Sequence, residues 1–321
     1  MEFAFSEEQQ ELAATVRSLL ARRADSAAVR AAMVSETGYD VELWQLLCEQ
    51  IGVAALAIPE DYDGAGFSLL ESMIVLEELG RSMAPSPLLA SIVTAEAVLA
   101  GGTDEAKARL LPRIAAGEVA AFGVPGEPSL FADRAAVLVV AGDELLEAGS
   151  AEWLPSMDQT TRLASVSAEG TPIGAAGPAR ARAQLVGAVG VAALSTGLAA
   201  RALEMTVGYS KERVQFGRPI GSFQALKHRM ADLLVLVEMS RSASWAASYA
   251  LSIDAPNVEE LAHVAKSYCS DALNRIAAET VQLHGGIAIT WEHDAQLVFK
   301  RAHALSQLFG QPHRHRELIE L

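Results

Sequence analysis

The segment RVQFGRPIGSFQ (Arg213–Gln224) decides how the C-terminal half of this chain folds, because it interrupts an otherwise helical sequence. Pro219 has no backbone N–H and cannot continue a helix. We therefore predict that the preceding helix ends at Phe216–Gly217 and that Ser222 caps the helix that follows. The segment thus predicts a turn between two long helices.

Long helical patterns lie on both sides of this turn. Apolar residues recur there at helical intervals, over spans long enough to pack as antiparallel neighbours. The spans are Arg180–Arg213, Ser222–Ile253, Val258–His284 and Glu292–Phe309. They predict that residues 179–321 form a C-terminal four-helix bundle domain.

The first 117 residues are also helical in pattern. Ser6 and Gln9 have the spacing of a capping box at the start of a first helix that runs through about Arg23. Four further helical patterns follow, at Val41–Ile51, Leu69–Ser82, Pro85–Ala100 and Thr103–Ala116. Residues 1–117 are therefore predicted to form an N-terminal helical domain.

Between the two helical regions the pattern changes. Apolar and β-branched runs at Ala135–Val140 and Leu163–Val166 alternate with Gly, Pro, Ser and Asp, which is typical of short antiparallel strands. Residues 118–178 are therefore predicted to form a small, shortened middle β domain. The fold class is mainly α with a small β domain, in the order helical, β, helical.

The composition excludes several classes of function. The formal charge of −15 argues against nucleic-acid binding, which depends on Lys and Arg. Cys48 and Cys269 have no disulfide or zinc spacing, and the acidic N-terminus does not resemble a signal peptide, so we expect a cytoplasmic protein. The uncharged stretch Ala183–Ala200 is rich in Ala and Gly, and we predict a buried helix there and no membrane span.

Two points in the bundle combine groups that can bind a ligand. Arg213, Phe216 and Gln224 bring a cation, a ring and an amide to a helix N-terminus, which favours an anion such as phosphate. At the second point Gln282 offers an amide, and Gly285–Gly286 lets the backbone approach a ligand closely. Taken as chemistry alone, such turns also occur in bundles that bind nothing.

The histidines give weaker signals. His303, His313 and His315 have no acidic or cysteine neighbours at ligand spacing, so we predict no metal site and expect solvated or interface histidines. For His284, next to Gly285, two positions stay open. The side chain lies beside a ligand, or it packs at the end of its helix.

Five stretches of the chain resemble the acyl-CoA dehydrogenase family. They are RVQFGRPIGSFQ (Arg213–Gln224), QLHGGIAIT (Gln282–Thr290), LWQLLCEQIGVAALAIPEDYDGAGFS (Leu43–Ser68), LEELGRS (Leu76–Ser82) and AKARLLPRIAAGEVAAF (Ala106–Phe122). The first two are similar to the flavin-contacting signatures of that family, and the likeness covers nearly the whole chain. The resemblance implies the family's fold of helical domain, small β domain and four-helix bundle.

The resemblance also implies an FAD-dependent enzyme that forms the α,β double bond of an acyl-CoA thioester. In that family a glutamate removes the α-proton, the β-hydrogen leaves as hydride to the flavin, and an electron-transfer flavoprotein takes the electrons. The two signatures reach across a dimer to the ADP end of the partner's FAD. By motif match that role falls here on Arg213, Gln215, Phe216, Gln224, Gln282, Gly285 and Gly286.

The residues that carry catalysis in the family are missing. Phe309 stands where many members have the base, and Gly187 stands where other members have it. Neither residue has a side chain that can accept a proton. The loop VPGEPS (Val124–Ser129) differs from the family's flavin-ring loop, and Trp153 is a faint counterpart of its tryptophan strand. The resemblance thus implies no catalytic residue here and an incomplete pocket for the flavin ring.

We therefore interpret the chain as the base-less subunit of an α2β2 acyl-CoA dehydrogenase whose second, related chain supplies the glutamate. Such enzymes resemble actinobacterial members that act on CoA thioesters of steroid side chains. Two alternatives stay open. A self-sufficient homomeric dehydrogenase would need an atypical base, for which Glu317 and Glu320 are the late candidates, whereas a scaffold or acyl-CoA-binding member would have no redox activity.

Overall fold

The computed structural model describes residues 5–319, and it begins with a layer of helices. These helices are α1 Glu7–Arg23, α2 Ser26–Val34, α3 Val41–Leu46, α4 Leu69–Ser82, α5 Leu88–Gly101 and α6 Asp104–Ala115. The predicted capping box is present. The Gln9 backbone N–H donates to Ser6 Oγ at 3.2 Å, and the Ser6 N–H donates to Gln9 Oε1 at 3.0 Å. Helix α4 has the predicted bounds.

The first layer differs from the prediction in two places. Helix α2 was not predicted, because SAAVRAAMV is short and Ala-rich, and only Val29 and Ala32 bury it against the core. The predicted helix Val41–Ile51 changes after α3 into a π-helical turn, Leu47–Ile51, which ends at the left-handed Gly52. The helices nevertheless pack into one continuous apolar core with those of the C-terminal half.

The middle of the chain forms two small sheets. Its strands are β1 Ala120–Gly123, β2 Ser129–Leu130, β3 Val137–Ala141, β4 Leu145–Ala148, β5 Ala151–Leu154, β6 Leu163–Val166 and β7 Gly170–Gly174. The sheet orders are β1-β3-β4-β7 and β2-β6-β5. The expectation of antiparallel pairing throughout was wrong, because β1 and β3 pair in parallel. Between them the chain crosses to the second sheet as β2, so β3 returns in the direction of β1.

The C-terminal part is a four-helix bundle with one added helix. It consists of α7 Ala176–Glu212, α8 Gln224–Ser252, α9 Val258–His284, α10 Ala295–Gln307 and α11 Pro312–Glu317. Helices α7 and α9 run in the same direction, since Thr206 Oγ1 donates to Thr280 Oγ1 at 3.1 Å and Thr196 lies beside Cys269. Helix α8 runs opposite to α9.

The turn between α7 and α8 is built differently from the prediction. Helix α7 ends at Glu212, and the chain then forms a hairpin of β8 Val214–Gln215 and β9 Arg218–Pro219. Phe216 and Gly217 are the turn of this hairpin, with φ angles of 54° and 76°. The helix stops early because the hairpin offers its backbone other hydrogen bonds, such as Ile220 N–H to the Arg213 carbonyl at 2.8 Å.

The predicted cap of α8 was also wrong. Ser222 lies in a 3-10 turn, Ile220–Ser222, and the N-cap position belongs to Phe223. No side chain caps α8 there. Its first turn is therefore left with backbone N–H groups that no cap satisfies.

Helix α7 is the central helix of the molecule. It is long and apolar enough to span a membrane by composition, but 89% of its most apolar window is buried inside the protein. Its small residues let α4 approach closely, because a Cβ at Gly197 would overlap the carbonyl oxygen of Glu77. The prediction of a buried, closely packed helix over Ala183–Ala200 is confirmed.

Candidate functional site

The two predicted ligand-binding segments lie at one end of the bundle, where α7 and α9 both end. The ring of Tyr209, in the last turn of α7, stacks on His284 in the last turn of α9 with a centroid distance of 4.5 Å. All seven residues predicted to contact FAD are exposed there. This end of the chain therefore presents a cation, several amides and a flexible Gly-Gly backbone outward.

The hairpin that carries Phe216 is supported by its own residues. The Arg218 guanidinium lies 4.0 Å above the centre of the Phe223 ring, and Phe216 meets the same ring edge-on at 6.2 Å. Phe216 remains 93% exposed. The Gln215 amide donates to the carbonyl of Val214 at 2.8 Å. The hairpin thus leaves almost the whole Phe216 ring accessible to solvent.

The sequence left open whether His284 lies beside a ligand or packs at the end of its helix. In the structure it packs at the end of α9. Its ring lies between Tyr209 and His293, whose ring centre is 4.4 Å away. The carbonyl of Thr280, 2.7 Å from Nδ1, can only accept, so the ring proton is on Nδ1, and the buried acceptor Nε2 has no partner within residues 5–319. Burial lowers the pKa of His284, and its ring is neutral at pH 7.

Gly187, in the first third of α7, lies against Phe309, and these are the two positions that carry the base in the resembling family. A Cβ at residue 187 would overlap ring carbons of Phe309, so only glycine at this position leaves room for the phenyl ring. Phe309 therefore fills the space that a side chain at residue 187 would occupy. Neither a carboxylate nor any other proton acceptor is present at the two positions.

The backbone at Phe309 is held in an uncommon conformation. Phe309 has φ 52°, in the left-handed region, and Gly310 follows with φ 94°. The carbonyl of Phe309 accepts hydrogen bonds from the Gln184 amide at 2.5 Å and from His315 Nε2 at 2.8 Å. These two bonds and the contact with Gly187 fix the ring in place.

A pair of histidines supports this turn. His315 Nε2 must donate to the Phe309 carbonyl, so its Nδ1 is the acceptor for His263 Nδ1–H at 2.9 Å. Burial lowers the pKa of both rings. The expectation of a solvated or interface side chain was wrong for His315, which is 3% exposed, because the turn needs its donor in the interior.

Lys266 is fully buried beside the same turn. Its Nζ donates to Ser270 Oγ and to the Ser306 carbonyl, each at 3.1 Å, and no carboxylate pairs with it within residues 5–319. Burial lowers the pKa of Lys266 to about 8. Since the unfolded pKa is near 10.4, the protonated amine disfavours folding below pH 8, and this cost disappears as the pH rises to about 10.5.

We therefore expect Lys266→Met to stabilise the chain by about 1–2 kcal/mol at pH 7, after the lost hydrogen bonds are counted. The gain should shrink above pH 8 and vanish near pH 10.5. Urea unfolding of both proteins at pH 7, 9 and 10.5 measures it. A pH-independent difference would show that the charge of Lys266 is not its cause.

The buried acids within residues 5–319 do not offer a base. Glu78 is paired with Arg17 at 2.6 Å and Glu96 with Arg182 at 2.6 Å, and Asp158 accepts three hydrogen bonds from Thr160 and Thr161. Each of these carboxylates is engaged in structural contacts. Of the two late candidates, Glu317 is exposed on α11, and Glu320 lies outside the described residues.

A small, partly open cavity of about 30 Å³ borders Leu308, next to Phe309. Its lining includes Phe131, Thr160 and the buried Arg301. It is far smaller than the roughly 300–1,000 Å³ of typical small-molecule sites.

The exposed segments near Arg213 and the filled position at Phe309 lie far apart. From Gly187 to Arg213, just after the end of α7, the chain rises over 26 residues, which is about 39 Å at 1.5 Å per residue.

Comparison with known proteins gives the family. The N-terminal domain model of acyl-CoA dehydrogenases matches residues 6–118, and the C-terminal domain model matches residues 180–320. The chain belongs to the acyl-CoA dehydrogenase family, whose members are FAD-binding flavoproteins and oxidoreductases. The predicted family and fold class are confirmed.

Particular relatives are similar over nearly their full lengths. Acyl-CoA dehydrogenase IpdE2 of Mycolicibacterium smegmatis is 45% identical over 98% of both chains. Among solved structures, the Tcur3481-Tcur3483 steroid ACAD G363A variant has a TM-score of 0.87 at 27% identity, covering 98% of this chain and 96% of its own. The ChsE4-ChsE5 complex from Mycobacterium tuberculosis shares the fold, with a TM-score of 0.87 at 23% identity and full coverage of both chains.

Sequence reasoning missed the residues that hold the filled position. Gln184 and His315, which bind the Phe309 carbonyl, become significant only through contacts with distant segments. A partial signal existed for both. Gln184 is a lone amide beside the apolar stretch of α7, and His315 follows the Phe309–Gly310 turn by one helical turn.

Proposed function

We propose that this chain is the non-catalytic subunit of a heteromeric FAD-dependent acyl-CoA dehydrogenase. The observation that carries the proposal is the contact between Phe309 and Gly187, which fills both positions from which a base could act. Without a base the α-proton of an acyl-CoA cannot be removed at this position. A second chain of the same family would supply the glutamate and the flavin-ring pocket.

The opposite end of the chain supplies what the proposed partner needs. The exposed Arg213 can form a charge-assisted contact with a pyrophosphate, and the amides of Gln224 and Gln282 can donate to the ADP end of FAD. The backbone at Gly285–Gly286 lets the dinucleotide approach closely. When bound, FAD would supply the hydride acceptor of the reaction. This chain's residues would hold its far end and orient it.

The substrate class and partners follow from the relatives' names. A steroid-derived acyl-CoA is the proposed substrate, since the Tcur3481-Tcur3483 relative is named a steroid ACAD. The α2β2 heterotetramer is the proposed assembly, and an electron-transfer flavoprotein is the proposed acceptor. We also propose a cytoplasmic location, since the apolar helix α7 is buried inside the protein.

Replacing Arg213 tests the proposed contact with FAD. In the complex with the partner, Arg213→Ala should weaken FAD binding by about 1.5–3 kcal/mol, because one charge-assisted contact is lost. The flavin dissociation constant measures this. Lys211→Ala is the matched control, as Lys211 is exposed on the last turn of α7 and lies outside the motif. Equal constants for wild type and Arg213→Ala would remove Arg213 from the site.

Replacing Phe309 tests its proposed non-catalytic role. Phe309→Leu should leave the turnover of the complex within about a few-fold, because the ring packs against Gly187 and transfers no proton. Steady-state turnover with an acyl-CoA substrate measures it, and removal of the partner's glutamate provides the inactive control. A loss of several orders of magnitude in a folded complex would contradict the assignment.

A further inference from the structure

A second cavity of about 340 Å³ lies between α1, α2, α4 and α7, and Asp294 lines it just before α10. Its volume is in the range of small-molecule sites. Arg201 of α7 lines it about twelve residues before Arg213, or roughly 18 Å along the helix. The cavity is therefore separate from the segments proposed to hold FAD.

One wall of this cavity is apolar. Leu20, Val29 and Met83 line it and are each 2–3% exposed, and the small side chains of Ala21 and Ala24 on α1 also line it. Such a wall can cover the hydrocarbon part of a ligand.

Three arginines also line the cavity. Arg17 gives Nε and Nη2 to Glu78 at 2.9 and 2.6 Å, which leaves its Nη1 free of that pair. Arg81 pairs with Glu204 through Nη2. Arg201 is exposed and has no ion-pair partner within residues 5–319. Arg201 is therefore the arginine of this cavity that has no counter-ion among the described residues.

The carboxylates that line the cavity are already engaged. Glu78 holds Arg17, and Asp294 pairs with Arg30 at 2.6 Å and accepts from Ser26 Oγ at 2.7 Å. Asp25 caps α2 by accepting from the Ala28 N–H at 2.8 Å. A cationic ligand would have to displace one of these partners, whereas an anion would meet the unpaired Arg201.

We propose that this cavity binds a small monocarboxylate with an apolar body. The carboxylate pairs with Arg201 and accepts from the remaining N–H groups of Arg17 and Arg81. The hydrocarbon part lies against Leu20, Val29 and Met83. The lining thus offers both arginines and apolar side chains to one ligand.

Octanoate is the probe for this site, and its binding to the full chain is measured by isothermal titration calorimetry. Arg201→Gln should weaken octanoate binding at least about tenfold. Arg201→Lys should weaken it less, because the positive charge remains. Ala21→Trp should block binding by filling the apolar wall, and since Ala21 is exposed on α1 this variant is expected to fold. The control is Arg314→Gln, an exposed arginine on α11.

Two further ligands separate the contributions of charge and apolar body. Octanamide has the same chain without the charge and should bind at least about tenfold more weakly than octanoate. Inorganic phosphate tests for a site that takes any anion, and phosphate binding without octanoate binding would overturn the proposal. So would no octanoate binding to the folded chain, or equal binding in wild type, Arg201→Gln and Ala21→Trp.

Discussion

Purified alone, the chain should be nearly colourless and should show no acyl-CoA dehydrogenase activity. Two copies would offer two sets of the exposed residues around Arg213 and no complete pocket for the flavin ring, because the loop Val124–Ser129 and Trp153 differ from the family's ring-contacting segments. FAD would then lose the contacts that exclude water and orient its reactive ring. Flavin binding by one end of the dinucleotide alone would be weak.

Addition of a glutamate-bearing partner should restore both colour and activity. Each pair of unlike chains would form one complete site, giving about one FAD per two chains and about two per symmetric α2β2 tetramer. Flavin absorbance against total protein measures the ratio, and bleaching by acyl-CoA shows whether the bound flavin is competent. One FAD per chain in the isolated homo-oligomer, with acyl-CoA-dependent bleaching, would establish a self-sufficient enzyme instead. An assembly that never holds flavin would identify a scaffold.

Arg301→Ala should destabilise the chain by about 3–5 kcal/mol. Arg301 is 5% exposed on α10, and its Nη1 donates to the Met83 carbonyl at 2.8 Å and to Thr160 Oγ1 at 3.2 Å. Thr160 Oγ1 in turn donates to the buried Asp158 at 2.7 Å, so a hydroxyl links the buried cation to a buried anion. Burial lowers the pKa of Arg301, while Asp158 opposes this shift.

Removal of Arg301 would leave Asp158 without its cation and create a cavity where the helical layers meet the β segment. Chemical unfolding of the isolated chain measures the loss. Arg316→Ala is the matched control, because Arg316 pairs with Asp271 on the surface and should contribute less than about 1 kcal/mol. A similar small change in both variants would show that the link through Thr160 contributes little. Hydrogen exchange near Thr160 and Met83 should increase in Arg301→Ala alone.

The helical periodicity predicted most of the architecture. Helices α4 and α9 have the predicted bounds, and strand β6 occupies the predicted Leu163–Val166. Local patterning succeeds there because each apolar stripe is buried along its whole length. Local patterning failed at the cap of α8, predicted at Ser222, and at the end of α7. There the β-hairpin that pairs Val214 with Pro219 replaces the last turn of the helix and the predicted cap. Such competition depends on residues outside the local pattern.

The candidate site was likewise predictable from the sequence only in part. The exposed positions of Arg213 and Gln282 agree with their predicted role, which itself stays a prediction. Parallel pairing of β1 with β3 and burial of His315 could not be predicted, because they depend on how the chain returns to distant segments. The unpaired Arg201 is likewise visible only once α1, α4 and α7 are packed together.

The sequence by itself determined the fold class, the family and the absence of a carboxylate at residues 187 and 309, because helical periodicity, motif spacing and side-chain chemistry are local properties. Only the tertiary structure decided that Gly187 and Phe309 touch, that Arg301 lies in the interior, and that about 39 Å of α7 separates the two ends of the site. These facts depend on the close packing of helices far apart in the chain. Each contact is set by the side-chain volume that its neighbours leave free.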